Sequence, residues 1–121
     1  MNIKFQGRSR LELKVEMLLE EGGFDFTTEY IFPELVASSG RPLRFDFAVF
    51  DDEGNIDFLV EAQGSQHYQV KNGNYSKLKT QKYNDTQKRM YCYKHNIPLV
   101  YVEYHEIHSI TLEELMRRAG L

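Results

Sequence analysis

Apolar and polar residues alternate in two neighbouring segments of the chain, residues 43–50 and 56–63. Side chains two positions apart on a β-strand point to the same face of a sheet, so this alternation is typical of strands. The residues between the two segments, Asp51-Asp52-Glu53-Gly54-Asn55, are polar and include the turn formers glycine and asparagine. The pattern therefore predicts two strands joined as a hairpin.

The register of this hairpin brings two carboxylates together. A turn centred on residues 53–54 places Asp46 directly opposite Glu61 and Arg44 opposite Gln63. Directly opposed residues lie on the same face of a sheet. Neighbouring carboxylates repel each other, and a hard divalent cation is the usual partner that offsets the repulsion. The hairpin therefore predicts metal-assisted chemistry at Asp46 and Glu61.

The alternation also predicts which side chains share a face. On the first hairpin strand, one face carries Leu43, Phe45, Phe47 and Val49. Residues 24–32 alternate in the same way, and one face of that strand carries Phe24, Phe26, Thr28, Tyr30 and Phe32. Each set is expected to lie on one side of the sheet.

The rest of the chain predicts three helices and a fourth strand, residues 98–104. Helical periodicity covers residues 8–21 and 80–95, and a short helix follows Thr111. Ser9 with Glu12, and Thr111 with Glu114, form predicted capping boxes. Residues 64–79 are polar and have no clear period, which predicts a loop. The order αβββαβα indicates an α/β fold with a mixed sheet and helices on its faces.

Composition limits the class of protein. The 121 residues suffice for one domain, 1–121, and a 41% apolar content supplies a core. The single cysteine, Cys92, excludes an intrachain disulfide and fits a reducing compartment. We find no signal-like start and no apolar run of membrane-spanning length, so we expect a soluble, cytoplasmic protein with no membrane partner.

Charge is distributed unevenly. The net charge of −3 argues weakly against a nucleic-acid partner. Between residues 66 and 89, however, only Asp85 opposes a series of basic side chains: Lys71, Lys77, Lys79, Lys82, Lys88 and Arg89. A basic segment on an acidic protein can face the phosphates of DNA. A solvated loop with incidental lysines is the alternative.

Several short motifs, in this order and spacing, resemble the PD-(D/E)xK nuclease superfamily. That superfamily has an αβββαβ core with an aspartate on the second strand and Glu-x-Lys on the third, and this chain has Asp46 and then Glu61-Ala62-Gln63. The branch of small endonucleases related to very short patch repair enzymes is similar in three further motifs: Gly64-x-Gln66-His67, Asp85-x-x-Lys88-x-x-Tyr91-Cys92 and Ser9-x-x-Glu12. The resemblance covers nearly the whole chain and implies a restriction-endonuclease-like fold.

The resemblance implies a metal site. Asp46 and Glu61 would hold Mg²⁺ or Mn²⁺ together with the backbone carbonyl of Ala62, and Glu12 would join through a water molecule. These are oxygen ligands suited to a hard cation. Structural alternatives exist: Asp46 can pair with Arg41 or Arg44, Glu61 with a lysine, and Glu12 can serve as a capping residue alone.

The chain departs from the superfamily pattern at Gln63, which stands where the family lysine is expected. The lysine supplies positive charge near the attacking water and the phosphate, whereas glutamine is neutral. Gln63 then orients the water, or acts as a structural amide, or leaves a weak enzyme. Lys88 on the second helix is the candidate for a migrated lysine. Gln66 and His67, directly after the third strand, are candidates for phosphate contact or ordinary loop residues.

These features together predict a divalent-metal-dependent DNA endonuclease that hydrolyses phosphodiester bonds. A Holliday-junction or mismatch-type nuclease is the alternative among enzymes. A non-catalytic nucleic-acid-binding module that keeps the nuclease fold is the alternative from another class, because the lysine is missing, and a protein-interaction domain that uses the acidic surfaces is a third. Duplex cleavage by one small site favours a homodimer, whereas nicking requires only a monomer.

Overall fold

A computed structural model describes residues 9–63 and 75–121, which form a four-stranded sheet with three helices. The helices are α1 (Arg10–Glu21), α2 (Tyr75–Lys94) and α3 (Leu112–Arg118). The strands are β1 (Asp25–Val36), β2 (Pro42–Phe50), β3 (Ile56–Gln63) and β4 (Leu99–Glu103), and a 3₁₀ turn, Tyr104–Glu106, follows β4. The predicted order of elements and the α/β class are confirmed. No helix in the described ranges is long and apolar enough to cross a membrane.

The sheet is mixed, as predicted. Its strand order is β1-β2-β3-β4. The pairs β1–β2 and β2–β3 are antiparallel, and the pair β3–β4 is parallel. A parallel neighbour requires a crossover connection, and α2 lies in that connection. The parallel register pairs Glu61 with Tyr101 and Gln63 with Glu103. The polar end of β3 therefore lies beside a polar stretch of β4.

Two apolar clusters cover the two faces of the sheet. The first contains Leu11, Val15, Leu18 and Leu19 of α1, Leu115 of α3, and the strand residues Phe47, Val49, Phe58, Val60, Ala62, Val100 and Val102. The second contains Leu35, Leu43, Phe45, Ala48 and Leu59 of the strands and Cys92 of α2. Helices α1 and α3 thus cover one face, and α2 covers the other.

The prediction that each listed set of side chains lies on one side of the sheet is wrong for β1 and β2, because the side chains change face near the middle of each strand. On β2, Phe47 and Val49 pack in the first cluster, whereas Leu43 and Phe45 pack in the second. The side chains of β1 switch in the same way, because Phe24 and Phe26 contact the first cluster and Tyr30 and Phe32 the second. Glu29, which lies between them, has a left-handed backbone with φ 52°. A residue in that conformation rotates the strand, so side chains two apart no longer share a face.

Two predicted boundaries also differ from the structure. β1 continues through Pro33 to Val36. It is the edge strand of the described sheet, where a proline removes no required ladder bond. Helix α2 begins at Tyr75 rather than at residue 80. Its first turns are polar and exposed, so they carry no apolar period from which a helix can be predicted.

The predicted caps are largely confirmed. The Ser9 hydroxyl accepts a hydrogen bond from the Glu12 amide at 3.0 Å, and the Glu12 carboxylate accepts one from the Ser9 amide at 3.5 Å. This capping box precedes the first helical residue of α1, Arg10. The earlier start predicted at residue 8 lies outside the described residues. Thr111 caps α3 by accepting the Glu114 amide at 3.1 Å. The Glu114 carboxylate binds Arg117 and Arg118 instead of closing a second box.

Arg118 ties α3 to the end of β4. Its guanidinium donates to the Tyr101 carbonyl at 3.0 Å, to the Glu106 carboxylate at 3.0 Å and to Glu114 at 2.8 Å. The Arg118 bonds hold the pKa of Glu106 below its usual range, and Arg117 and Arg118 together lower the pKa of Glu114 to about 2. A carboxylate whose pKa is lowered by folding stabilises the folded state above its unfolded pKa, and this stabilisation is lost as the pH falls.

We therefore expect Arg118→Gln to lower the free energy of unfolding at pH 7, and the difference from the parent protein to shrink as the pH falls from 4.5 towards 2. Urea unfolding across this pH range measures the effect. Arg10→Gln is the matched control, because Arg10 is an exposed arginine on α1. A difference that stays constant with pH would contradict the ion-pair account.

Candidate functional site

Asp46 lies where the backbone pairing of β2 with β3 ends and a side-chain hydrogen bond connects the two strands. The ladder pairs Phe47 with Val60, in the register that the sequence predicts. Beyond that pair, the Asp46 carboxylate accepts the Ala62 amide at 2.7 Å. A charged acceptor makes a strong bond to a backbone amide, so Asp46 is held against β3. The hairpin therefore places this carboxylate beside residues 61 and 62.

Glu61 is a buried carboxylate next to Asp46. Only 6% of the residue is exposed. Burial and the neighbouring Asp46 carboxylate, opposed in part by Lys88, raise the pKa of Glu61 to about 8. Desolvation and a nearby like charge both disfavour an ionised acid. The structure thus brings together the two acids that the hairpin register pairs.

Lys88 reaches this pair from α2. Its ammonium donates to a Glu61 carboxylate oxygen at 2.7 Å, and the two side chains are only 12% and 8% exposed. The ammonium also lies 5.2 Å from the centre of the Phe45 ring, within the range of a cation–π contact. Cys92, four residues further along α2, is buried in the second cluster and fixes this side of the helix on the sheet. The candidate lysine of α2 therefore lies at the acids.

Charge in this cluster does not balance. With all three groups ionised, Asp46 and Glu61 contribute two negative charges and Lys88 contributes one positive charge. A buried excess negative charge is costly unless a proton or a cation compensates it. The site therefore favours uptake of a proton or of a metal ion.

Gln63 continues the polar face of β3 beyond Glu61. It is 8% exposed and pairs with Glu103 of the parallel strand β4. Residues two apart on a strand share a face, so Gln63 lies on the side of Glu61 that α2 covers. A neutral amide in this position adds no charge to the cluster. Gln63 is placed to orient a ligand of the site, but its role stays a prediction.

The polar surroundings on β4 and α2 were not anticipated from the sequence. Among the described residues, the Glu103 Oε2 and Asn84 Oδ1 atoms are buried without a hydrogen-bond partner. Tyr101, the register partner of Glu61, has its pKa raised to about 12 by burial, and Arg89 offsets part of the rise. The register of β4 against β3 places Tyr101 beside Glu61 and Glu103 beside Gln63, and no local pattern in the sequence specifies that register.

A cavity of about 400 Å³ opens beside Asp46, and Glu12 and Glu29 also line it. Glu12 keeps its capping-box role, so the helix cap and the cavity wall use the same residue. Arg41 and Arg44 line the cavity as well, and Arg44 lies 3.6 Å from Glu29. Arg44 does not lie opposite Gln63 as predicted. It forms this exposed ion pair instead, and its partner across the strand ladder is Ile31 of β1.

The donor set can be compared with the needs of a divalent cation. No group of three or more histidine, cysteine or acidic side chains suited to a metal ion occurs in the described ranges. Mg²⁺ commonly binds one or two carboxylates and keeps several waters. Asp46 and Glu61, with the Ala62 carbonyl, are the described residues that could hold Mg²⁺ or Mn²⁺ at this site.

The predicted nucleic-acid contacts divide into two groups. Lys77, Lys79, Lys82 and Arg89 are exposed on α2. Gln66, His67 and Lys71 lie outside the described residues, so these predictions rest on sequence alone. Helix α2 carries six basic side chains and one acidic side chain, Asp85, which gives a net charge of +5. Such a charge on an acidic protein suits contact with a polyanion.

Comparisons of the chain with protein-family models, with curated proteins and with solved structures find no match.

The geometry predicts that Lys88→Met destabilises the protein in a pH-dependent way, because the variant leaves Glu61 buried beside Asp46 without a cation. Breaking such a pair costs about 3 kcal/mol when the acid is ionised. A folded-state pKa near 8 means that Glu61 holds a proton at pH 5 and needs no partner there. We expect a small loss at pH 5 and a loss that grows as the pH rises above 8, in chemical unfolding without metal.

Two controls support this measurement. Lys82→Met removes an exposed lysine of the same helix and should leave stability unchanged. Adding Glu61→Gln to Lys88→Met removes the stranded charge and should restore most of the stability at high pH. Equal losses at pH 5 and pH 9 would contradict the account.

Proposed function

We propose that the protein is a divalent-metal-dependent DNA endonuclease. The observation that carries the proposal is the excess negative charge of the adjacent acids Asp46 and Glu61, which Lys88, 2.7 Å from Glu61, offsets only in part. Two acids and a lysine are the set that the PD-(D/E)xK resemblance implies. The lysine comes from α2 instead of the third strand, where Gln63 stands.

The topology agrees with the restriction-endonuclease-like core that we propose. An αβββαβ order with β4 parallel to β3 fits the arrangement that the resemblance implies. The proposed site lies at the end of β3 that is bordered by β4 and covered by α2. These features support the assignment of the fold without depending on any residue identity at the site.

Each side chain has a proposed task. Asp46 and Glu61 hold the cation, and Glu12 on the neighbouring cavity is placed to join through water. A bound divalent ion lowers the pKa of a coordinated water and offsets negative charge that grows on the phosphate. Lys88 opposes the rise that burial causes in the pKa of Glu61 and adds positive charge beside the reacting group. Gln63 orients the water or the phosphate through its amide.

The first test is cleavage of three substrates by the parent protein in Mg²⁺ or Mn²⁺: supercoiled, branched and single-stranded DNA. Nicking or linearisation of the supercoiled form supports the endonuclease. Resolution of the branch favours the junction nuclease as the second candidate. Metal-independent binding without cleavage of any substrate would replace the enzyme with a non-catalytic binding module, an interpretation favoured by the neutral Gln63.

Asp46→Asn and Glu61→Gln should each reduce cleavage at least 100-fold, because each removes one charge from a proposed metal ligand at nearly constant shape. The rates are measured under single-turnover conditions, with circular dichroism to check the fold. Asp57→Asn on the same strand as Glu61 is a matched control and should keep the parent rate. Full activity in either ligand variant would move the active site elsewhere.

The source of the missing positive charge gives a separate prediction. Lys88→Ala should cost as much activity as the loss of a metal ligand, because no lysine occupies position 63. Gln63→Lys should be tolerated, and in the Lys88→Ala background it should recover part of the rate by restoring a cation near the phosphate. Unchanged rates in both single variants would show that neither residue supplies this function.

The exposed basic side of α2 predicts the salt dependence of DNA binding. Each phosphate contact releases condensed counterions, so log affinity for duplex falls with log salt by ~0.9 per contact. Replacing Lys77, Lys79 and Lys82 with alanine should make this slope less steep by ~0.9 for each phosphate contact that is lost. The affinity should fall to the same extent for all DNA sequences. Fluorescence anisotropy at several salt concentrations measures it. A triple variant with the parent slope would leave this helix without a role in binding.

A further inference from the structure

The outer side of α2 carries large apolar side chains that remain in solvent. Tyr93 is 87% exposed, Met90 61% and Tyr83 51%. Basic side chains lie among them, including Lys82, Arg89 and Lys94. Exposed aromatic groups interleaved with cations are typical of surfaces that bind unpaired nucleotides.

A groove of about 640 Å³ runs along this side of the helix. Met90, Tyr91 and Tyr93 line it from α2, and Leu35 lines it from the end of β1. Its charged lining residues are Arg89 and Lys94, both cations. The groove therefore offers an apolar floor with positive charge at its border.

Tyr91 forms a fixed part of this floor. Its hydroxyl donates to the Glu34 carboxylate. Its ring packs 4.7 Å from the Phe32 ring and 4.2 Å from the His95 ring, measured between centroids. Contacts on several sides hold the ring in place, so a planar ligand would meet a preformed surface.

We propose that this groove binds an unpaired nucleotide, with the base stacked on Tyr93 and Met90 and the flanking phosphates at Arg89 and Lys94. Stacking needs a free base face, which a duplex does not offer. The substrate is then a nucleic acid with a single-stranded segment, such as a flap, gap or loop. This inference rests on the nucleic-acid partner proposed above, but it does not depend on catalysis.

The groove is close to the proposed active site. Lys88 and Arg89 are consecutive residues of α2, and Lys88 faces Glu61 while Arg89 is exposed. An α-helix with its side chains is roughly 10 Å across. A strand held in the groove can therefore reach around the helix towards the acids within a few nucleotides.

Charge argues against a second copy of the chain as the occupant. A twofold dimer brings the same patch of both subunits together. On this side of α2 it would place Arg89 and Lys94 near their own copies, with like charges opposed. A polyanion with exposed aromatic faces meets both the charge and the apolar floor.

The test is binding of fluorescein-labelled dT12 by anisotropy in EDTA, where no metal-dependent cleavage occurs. Stacking contributes roughly tenfold or more in affinity per base, so Tyr93→Ala should weaken dT12 binding at least tenfold. Tyr93→Phe keeps the ring and should stay within about twofold of the parent. Met17→Ala, an exposed apolar residue on α1, is the control and should have no effect. A 12-base-pair duplex should bind Tyr93→Ala and the parent equally.

Three results would overturn the inference: no binding of dT12 by the parent, equal dT12 affinity of Tyr93→Ala and the parent, or self-association in sedimentation experiments that Tyr93→Ala abolishes. The last would assign the groove to a second copy. Cleavage is measured separately in Mn²⁺. If the protein cleaves DNA but Tyr93→Ala binds dT12 as the parent does, only the groove proposal is refuted. If dT12 binding depends on Tyr93 but no cleavage occurs, only the nuclease proposal is refuted.

Discussion

A buried carboxylate, Glu61, determines how this site is built. Taking an ionised acid out of water costs several kcal/mol, and one nearby lysine rarely recovers that cost. Here the second carboxylate, Asp46, adds to the cost instead of reducing it. An apolar residue in place of Glu61 would pack in the second cluster without either problem. Perturbed acids with a specific charge partner cluster at functional sites, which makes Glu61 a candidate functional residue.

The fold brings these groups together by departing from regular strand geometry. The backbone of Glu29 is left-handed, and the side chains of β1 and β2 change faces near Glu29 and Asp46. The Asp46 carboxylate then bonds the Ala62 amide at the place where the backbone ladder stops. Helix α2 covers the same end of β3 and supplies Lys88. The irregular strand geometry and the site are therefore parts of one arrangement.

Local patterns predicted much of this arrangement. Alternation indicated the hairpin and its register, because both depend on residues close in sequence. Lys88, which contacts Glu61, became a candidate only through the family resemblance, since Gln63 stands where the family lysine is expected. The face switch was not predictable, since a left-handed glutamate has no signature in the sequence. Tyr101 and Glu103 were not predicted as neighbours of the site, because the long-range register of β4 against β3 places them beside Glu61 and Gln63. That Gln63 occupies the position of the family lysine remains a prediction, because it rests on the resemblance alone.

Titration of Mn²⁺ into the protein, followed by the electron paramagnetic resonance signal of the free ion, tests the central claim most directly. The account predicts one site in the parent protein, lost in Asp46→Asn and in Glu61→Gln and retained in Asp57→Asn. It also predicts tighter binding as the pH rises towards 8, because the cation must displace the proton that burial favours on Glu61. Equal Mn²⁺ affinity in the parent protein and both ligand variants, or no binding in the parent at pH 8, would contradict a metal centre at Asp46 and Glu61.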